Sequence, residues 1–129
     1  MFGFSAGAQF VHRFIQFKPN ARFDKVVAGA AGWYTVPDNT IPFPYGYENS
    51  ILNTANLDNL LSSDLYIQVG ALDNNPNSAG LRHNEYADAQ GLNRVTTVSY
   101  THLRAHETLM NLVCRLLLEK KNKKSAAVL

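Results

Sequence analysis

The apolar positions of the chain fall into segments of distinct period. Phe10, Val11, Phe14, Ile15 and Phe17 recur at helical spacing, which predicts an amphipathic helix over Ala6 to Phe17 with one broad apolar stripe against a large body. Pro19 and Asn20 stop it. Lys25 to Ala30 then sets a β-branched pair, Val26 and Val27, before small residues that permit close packing, and reads as a short buried strand. Asp64 to Gly70 reads as the next buried strand, closed by Gly70. Leu57 to Leu61 suggests a short helix, and Gly80 to Gln90 a longer one with Gly91 as its C-terminal stop.

Two stretches lack period. Ala71 to Ala79 is a polar loop containing Asp73, Asn74, Asn75, Pro76 and Asn77. Trp33 to Ser50 sets Pro37, Pro42 and Pro44 among Trp33, Tyr34, Phe43, Tyr45 and Tyr47, so regular structure is not expected there. Such a loop can wall a substrate site, or its aromatics can simply staple it to the body. The order of helix, strand, long loop, strand and helix predicts an α/β class with parallel strands, each needing a crossover.

Length and composition add bounds. The 129 residues, 46% of them hydrophobic, suit one modest domain with a real core. No long apolar run and no signal-peptide pattern occurs, so solubility is the default and a membrane partner is not expected. The formal charge of +2 hides an asymmetry: residues 1 to 96 hold six Lys/Arg against eight Asp/Glu, net −2, and residues 97 to 129 hold six against two, net +4. A nucleic-acid partner is therefore not indicated for the body. The single cysteine, Cys114, allows no internal disulfide and has no neighbouring base, and no cofactor or metal is called for.

The candidate chemistry lies at the N-terminus. Gly3-Phe4-Ser5-Ala6-Gly7 fits GxSxG, a sharp strand-to-helix turn that stands a nucleophilic serine clear of the backbone. Glycines two before and two after Ser5 suit such a turn, and the Ala6 amide is placed to donate to a developing oxyanion. The predicted helix follows at once, although the strand that should precede it is reduced to Met1 and Phe2. The competing reading is a Gly/Ser turn without chemistry, in a non-catalytic α/β binding or scaffold domain.

Residues Gly3 to Phe17, Phe23 to Asp38 and Leu65 to Asn93 resemble bacterial α/β-hydrolases of the esterase and polyhydroxyalkanoate-depolymerase-like groups. The resemblance implies a partial α/β-hydrolase fold over residues 1 to 96, acting in its parent protein on a small-molecule or polyester substrate. Ser5 would be the nucleophile, Ala6 an oxyanion donor, and Asp73, in Val69-Gly70-Ala71-Leu72-Asp73 that resembles the stretch after a late sheet strand, the acid that orients a later histidine. Asp73 also fits a plain turn among its Asn neighbours. His83, ten residues on and inside the proposed helix, reads as a surface or packing residue, as does His12 on the helix after the elbow. Glu85 and Asp88 read as a solvated helix face. The general base and the early strands are thus expected to be missing, and the chain itself inactive.

The last quarter resembles something else. Val98 to Thr108 matches one reading frame of a transposase-type sequencing adapter, and Leu112 to Glu119 the primer site that follows it, with the frame closing across the short index between them. Thr97 and the lysines from Lys120 to Lys124 fit the same reading. Residues 97 to 129 are therefore expected to be a non-native helical tail and not a domain. On this reading His102 and His106, spaced like metal ligands with Glu107 alongside, and Leu112 to Leu118 before the lysines, like a basic amphipathic helix, carry no function.

Overall fold

A computed structural model describes residues 1–53 and 57–104. Three parallel strands form one sheet in the order β1 (Phe2–Phe4), β2 (Val26–Gly29) and β3 (Leu65–Gln68). Phe2 pairs with Val27 and Phe4 with Gly29, while Val26 pairs with Leu65 and Gly29 with Gln68. Strand β1 is short but takes its place in the sheet, one residue longer than the two expected. Parallel neighbours need crossovers. Helix α1 (Ala6–Phe17) supplies the first, and the 30–64 segment with α2 (Asp58–Leu61) the second.

Helix α1 has the predicted bounds but presents a different face. Ala8, Val11, His12, Ile15 and Gln16 are the buried positions, whereas Phe10 is 62% exposed. The phenylalanines flank the stripe: Phe10 stacks on Phe14, and Phe17 meets Phe43 edge-on. Two polar side chains sit inside the core-facing stripe because they partner each other, the Gln16 amide lying 2.9 Å from His12 Nδ1 and donating also to the carbonyls of His12 and Thr35. Val11 and Ile15 pack against Val26, Ala28, Ala31, Tyr34 and Val98, each contributing about 2 kcal/mol by burial.

The aromatic loop is irregular, as expected, yet tightly stitched. Val36 N–H donates to the Tyr45 carbonyl, Tyr47 N–H to that of Asp38, and the Thr35 hydroxyl to that of Pro44 at 2.6 Å. Trp33, Tyr34, Tyr45 and Tyr47 are buried, so these aromatics staple the loop to the body. Strand β3 is not the buried strand its composition suggested. It alternates half-buried Leu65 and Ile67 with exposed Tyr66 and Gln68, because only one of its faces is covered.

Helix α3 (Glu85–Gln90) starts five residues later than predicted. Asn84 caps it by accepting from the Tyr86 and Ala87 amides, and Gly80 has already turned the chain at φ 76°. Gly91 ends the helix where expected, its N–H donating to Ala87. Residues 94–104 are helical, with Thr97, Val98 and Thr101 buried and Arg104 paired with Asp38. Whatever the origin of that stretch, its first turns pack on the body. The remainder of the adapter-like stretch, with His106, Glu107, Cys114 and the lysines, lies outside the described residues.

Candidate functional site

Ser5 stands between β1 and α1 with φ 54° and ψ −117°. An L residue holds this backbone only under strain of about 1–3 kcal/mol, maintained by its surroundings. Ser5 N–H donates to the Gly29 carbonyl at 2.8 Å, extending the sheet by one bond, and its own carbonyl accepts from Ala8 and Gln9 to begin the helix. A serine at this position ordinarily turns its hydroxyl back to cap the helix; Ser5 makes no such bond.

The two glycines of the motif do different things. A Cβ on Gly3 would overlap the Gly7 carbonyl, so the turn can close only if position 3 is glycine. A Cβ on Gly7 would meet nothing within 4 Å. The steric demand therefore falls on the first glycine alone, not on both.

Ser5 opens into a cleft of about 170 Å³ lined by Ala6, Gln9, Gly32, Trp33 and Arg82. The Ala6 N–H, first in α1, has no intrahelical carbonyl to donate to, and the positive end of the helix dipole lies here. Trp33 is 5% exposed, with its ring against Tyr45 at 4.6 Å between centroids, and Tyr45 stacks in turn on Tyr86. The guanidinium carbons of Arg13 and Arg82 lie 5.2 and 5.8 Å from the indole centroid. Burial lowers the Arg13 pKa.

Asp73 lies on the same side of the sheet as Ser5, since both follow the carboxyl ends of parallel strands. Strand β2 runs between them, which at about 4.8 Å per strand puts the two strand ends about 10 Å apart. Asp73 is not part of the Ser5 cleft. Its Oδ1 accepts from Arg94 Nη1 at 3.1 Å, and its N–H donates to Gly70.

None of the described histidines lines the cleft. His12 is 4% exposed, edge-on to Tyr34, and its pKa is lowered to about 4 by burial and then by the charge of Arg13. His83 lies in the turn before α3, not within a helix. Its Nδ1 is 2.7 Å from Asp88 Oδ1 and its Nε2 2.7 Å from the Pro76 carbonyl. Both neighbours are acceptors, so the doubly protonated ring fits best, and the Asp88 hydrogen bond followed by that of Pro76 raises the His83 pKa. Asp88 is thus a partner of His83 and more than a solvated helix residue.

Gln90 carries no sequence signal, yet it fixes the wall of the cleft. Its Oε1 accepts from Tyr34 N–H at 2.8 Å and its Nε2 donates to the Tyr34 carbonyl at 2.7 Å, holding the backbone next to Trp33 from both sides.

Among solved structures, the chain is similar to poly(aspartic acid) hydrolase-1 from Sphingomonas sp. KT-1, with 36% identity and a TM-score of 0.82 over 86% of this chain. It is also similar to a poly(3-hydroxybutyrate) depolymerase from Bordetella parapertussis, with 32% identity and a TM-score of 0.79 over 85% of this chain. This is a partial α/β-hydrolase fold. The chain spans 42% of the first structure and 37% of the second. No family model matches it, and no curated protein does.

Proposed function

We propose that this chain is a segment of a serine hydrolase, most simply a carboxylic ester hydrolase, in which Ser5 is the nucleophile. The observation that carries this reading is the strained backbone of Ser5, which a plain helix cap has no use for. Ser5 Oγ would attack the acyl carbonyl while a base takes its proton, and the Ala6 N–H would donate to the oxyanion. Collapse expels the alcohol, and water then releases the acid from the acyl-serine. Asp73 would be the orienting acid. Arg94 binds one of its carboxylate oxygens, and the other is available to a histidine. The two similar structures carry names that refer to polymers, one a polyanion and the other a neutral polyester, which supports a polymeric or small acyl substrate.

Because no described histidine reaches Ser5, the 129-residue chain is expected to be inactive alone. It should neither hydrolyse an aryl ester nor label with a fluorophosphonate. A chimera carrying residues 1 to 96 in place of the matching segment of poly(aspartic acid) hydrolase-1 should do both and lose both on Ser5→Ala. Labelling of the isolated chain at Ser5 would overturn the inactivity, and an active Ser5→Ala chimera would overturn the assignment of the nucleophile. We also infer that the adapter-like stretch from Thr97 to Lys124 is translated adapter; codons other than those of the adapter across 98 to 119 would refute it.

A further inference from the structure

We propose that the Ser5 cleft selects a substrate carrying a carboxylate, received by Arg82 beside the indole of Trp33. The inference rests on the reading of that cleft as the acyl site. Among the residues lining it, Arg82 is the one with a formal charge. The described ion pairs occupy Asp38 with Arg104, Asp73 with Arg94 and Asp88 with His83, and none of them engages Arg82. Arg13 adds a second guanidinium against the same indole. Two cations close to one aromatic ring, with no acid lining the cleft, leave a positive site beside the nucleophile that a carboxylate would neutralise.

The position of Arg82 is built and not incidental. Gly80, at φ 76°, turns the chain toward the cleft. Leu81 then closes on Gly32, where an added Cβ would come within 2.6 Å of Leu81 Cδ1, so glycine at 32 permits the approach. On the other side, His83 is tied to Asp88 and to the Pro76 carbonyl, and Asn84 caps α3. The backbone at Arg82 is held between these anchors, and its guanidinium carbon lies 5.8 Å from the centroid of a buried ring. Such preorganisation lowers the entropic cost of a bidentate grip on a carboxylate.

Trp33 is the single tryptophan of the chain, so its fluorescence reports on this cleft directly. The 129-residue chain is titrated with succinate, with the neutral succinamide, and with sodium chloride at matched ionic strength. Succinate should give a saturable change that the other two do not. Arg82→Gln should weaken succinate binding about tenfold or more, the scale of a lost charged hydrogen bond, and Arg82→Lys should weaken it less. An equal response to succinamide, an unchanged affinity in Arg82→Gln, or no saturable response to succinate would overturn the proposal. The two readings fail separately. A chimera active at Ser5 but indifferent to charge removes the carboxylate selection, whereas a chimera inactive at Ser5 removes the hydrolase reading even if succinate binds at Trp33.

Discussion

Lowering the pH should unfold this protein through His12, and the size of the effect follows from where the ring sits. Its pKa falls from 6.5 to about 4 because burial, and then Arg13, disfavour the imidazolium. The folded state therefore resists a proton that the unfolded chain accepts. The stabilisation from His12 is complete above the unfolded value of 6.5 and is lost as pH falls through the interval down to about 4. Each tenfold weakening of proton affinity on folding is worth about 1.4 kcal/mol, so the loss amounts to about 3 kcal/mol. Asp38 acts at lower pH still: burial pulls its carboxyl up, but the two hydrogen bonds from Thr40, with Arg104, outweigh it and hold its pKa below 3.8, so its contribution is lost only as pH falls beneath that value. The measurement is a difference. Guanidinium unfolding followed at Trp33, for the wild type and His12→Leu between about pH 7 and pH 4, cancels the shared carboxylates. Leucine keeps the stripe apolar, and the Gln16 amide retains the carbonyls at position 12 and of Thr35 as acceptors. The wild type should lose about 3 kcal/mol more than the variant over that interval. Parallel pH profiles would show that His12 takes up its proton as readily in the folded state as in the unfolded, and would refute the argument.

Two further outcomes are expected. Gly3→Ala should cost more than about 3 kcal/mol, because its Cβ would collide with the Gly7 carbonyl, whereas Gly7→Ala should be neutral or stabilise by up to about 1 kcal/mol; thermal melts of both variants check this, and equal melting points would refute the asymmetry. His83 should titrate above 6.5 in the folded chain and return toward it in Asp88→Asn; its contribution is fully present below the unfolded value and lost as pH rises through the folded one, and proton NMR of the imidazole reads this directly, with an ordinary pKa in the wild type as the contrary result.

What the sequence disclosed follows the range of the interactions involved. Helix α1, the interrupted strands, the irregular aromatic loop and the Gly91 stop are products of local period and turn chemistry, and each was legible from neighbouring residues. The face of α1 was not. Phe10 looks like core by type, but the body lies against positions 8, 11, 12, 15 and 16, and only tertiary contact shows that His12 and Gln16 can share that face by bonding to each other. The exposed face of β3 was hidden for a related reason, since an apolar strand reads alike whether one face or both are covered. The late start of α3 has a local cause that could have been read: Asn84 is a good N-cap, and Gly80 is a poor first residue for a helix.

The site divides along the same line. Ser5 was visible as a candidate because GxSxG is a local motif, and the folded backbone gives it a strained geometry. The surroundings of Ser5 come from far along the chain. Trp33 is set by the stitched loop and by Gln90, more than fifty residues on, which grips both polar groups of the Tyr34 backbone. Arg82 arrives on a turn whose Leu81 closes on Gly32 and that His83 and Asn84 pin. An arginine in a polar stretch carries no mark of this. Its meaning depends on a ring 49 positions earlier in the chain, and that pairing places the positive charge in the cleft that Ser5 also lines. Hence the proposed nucleophile is written locally, while the proposed preference for a carboxylate rests on long-range packing, and on that proposal substitutions at Arg82 and Trp33 should alter selectivity without disturbing the turn at Ser5.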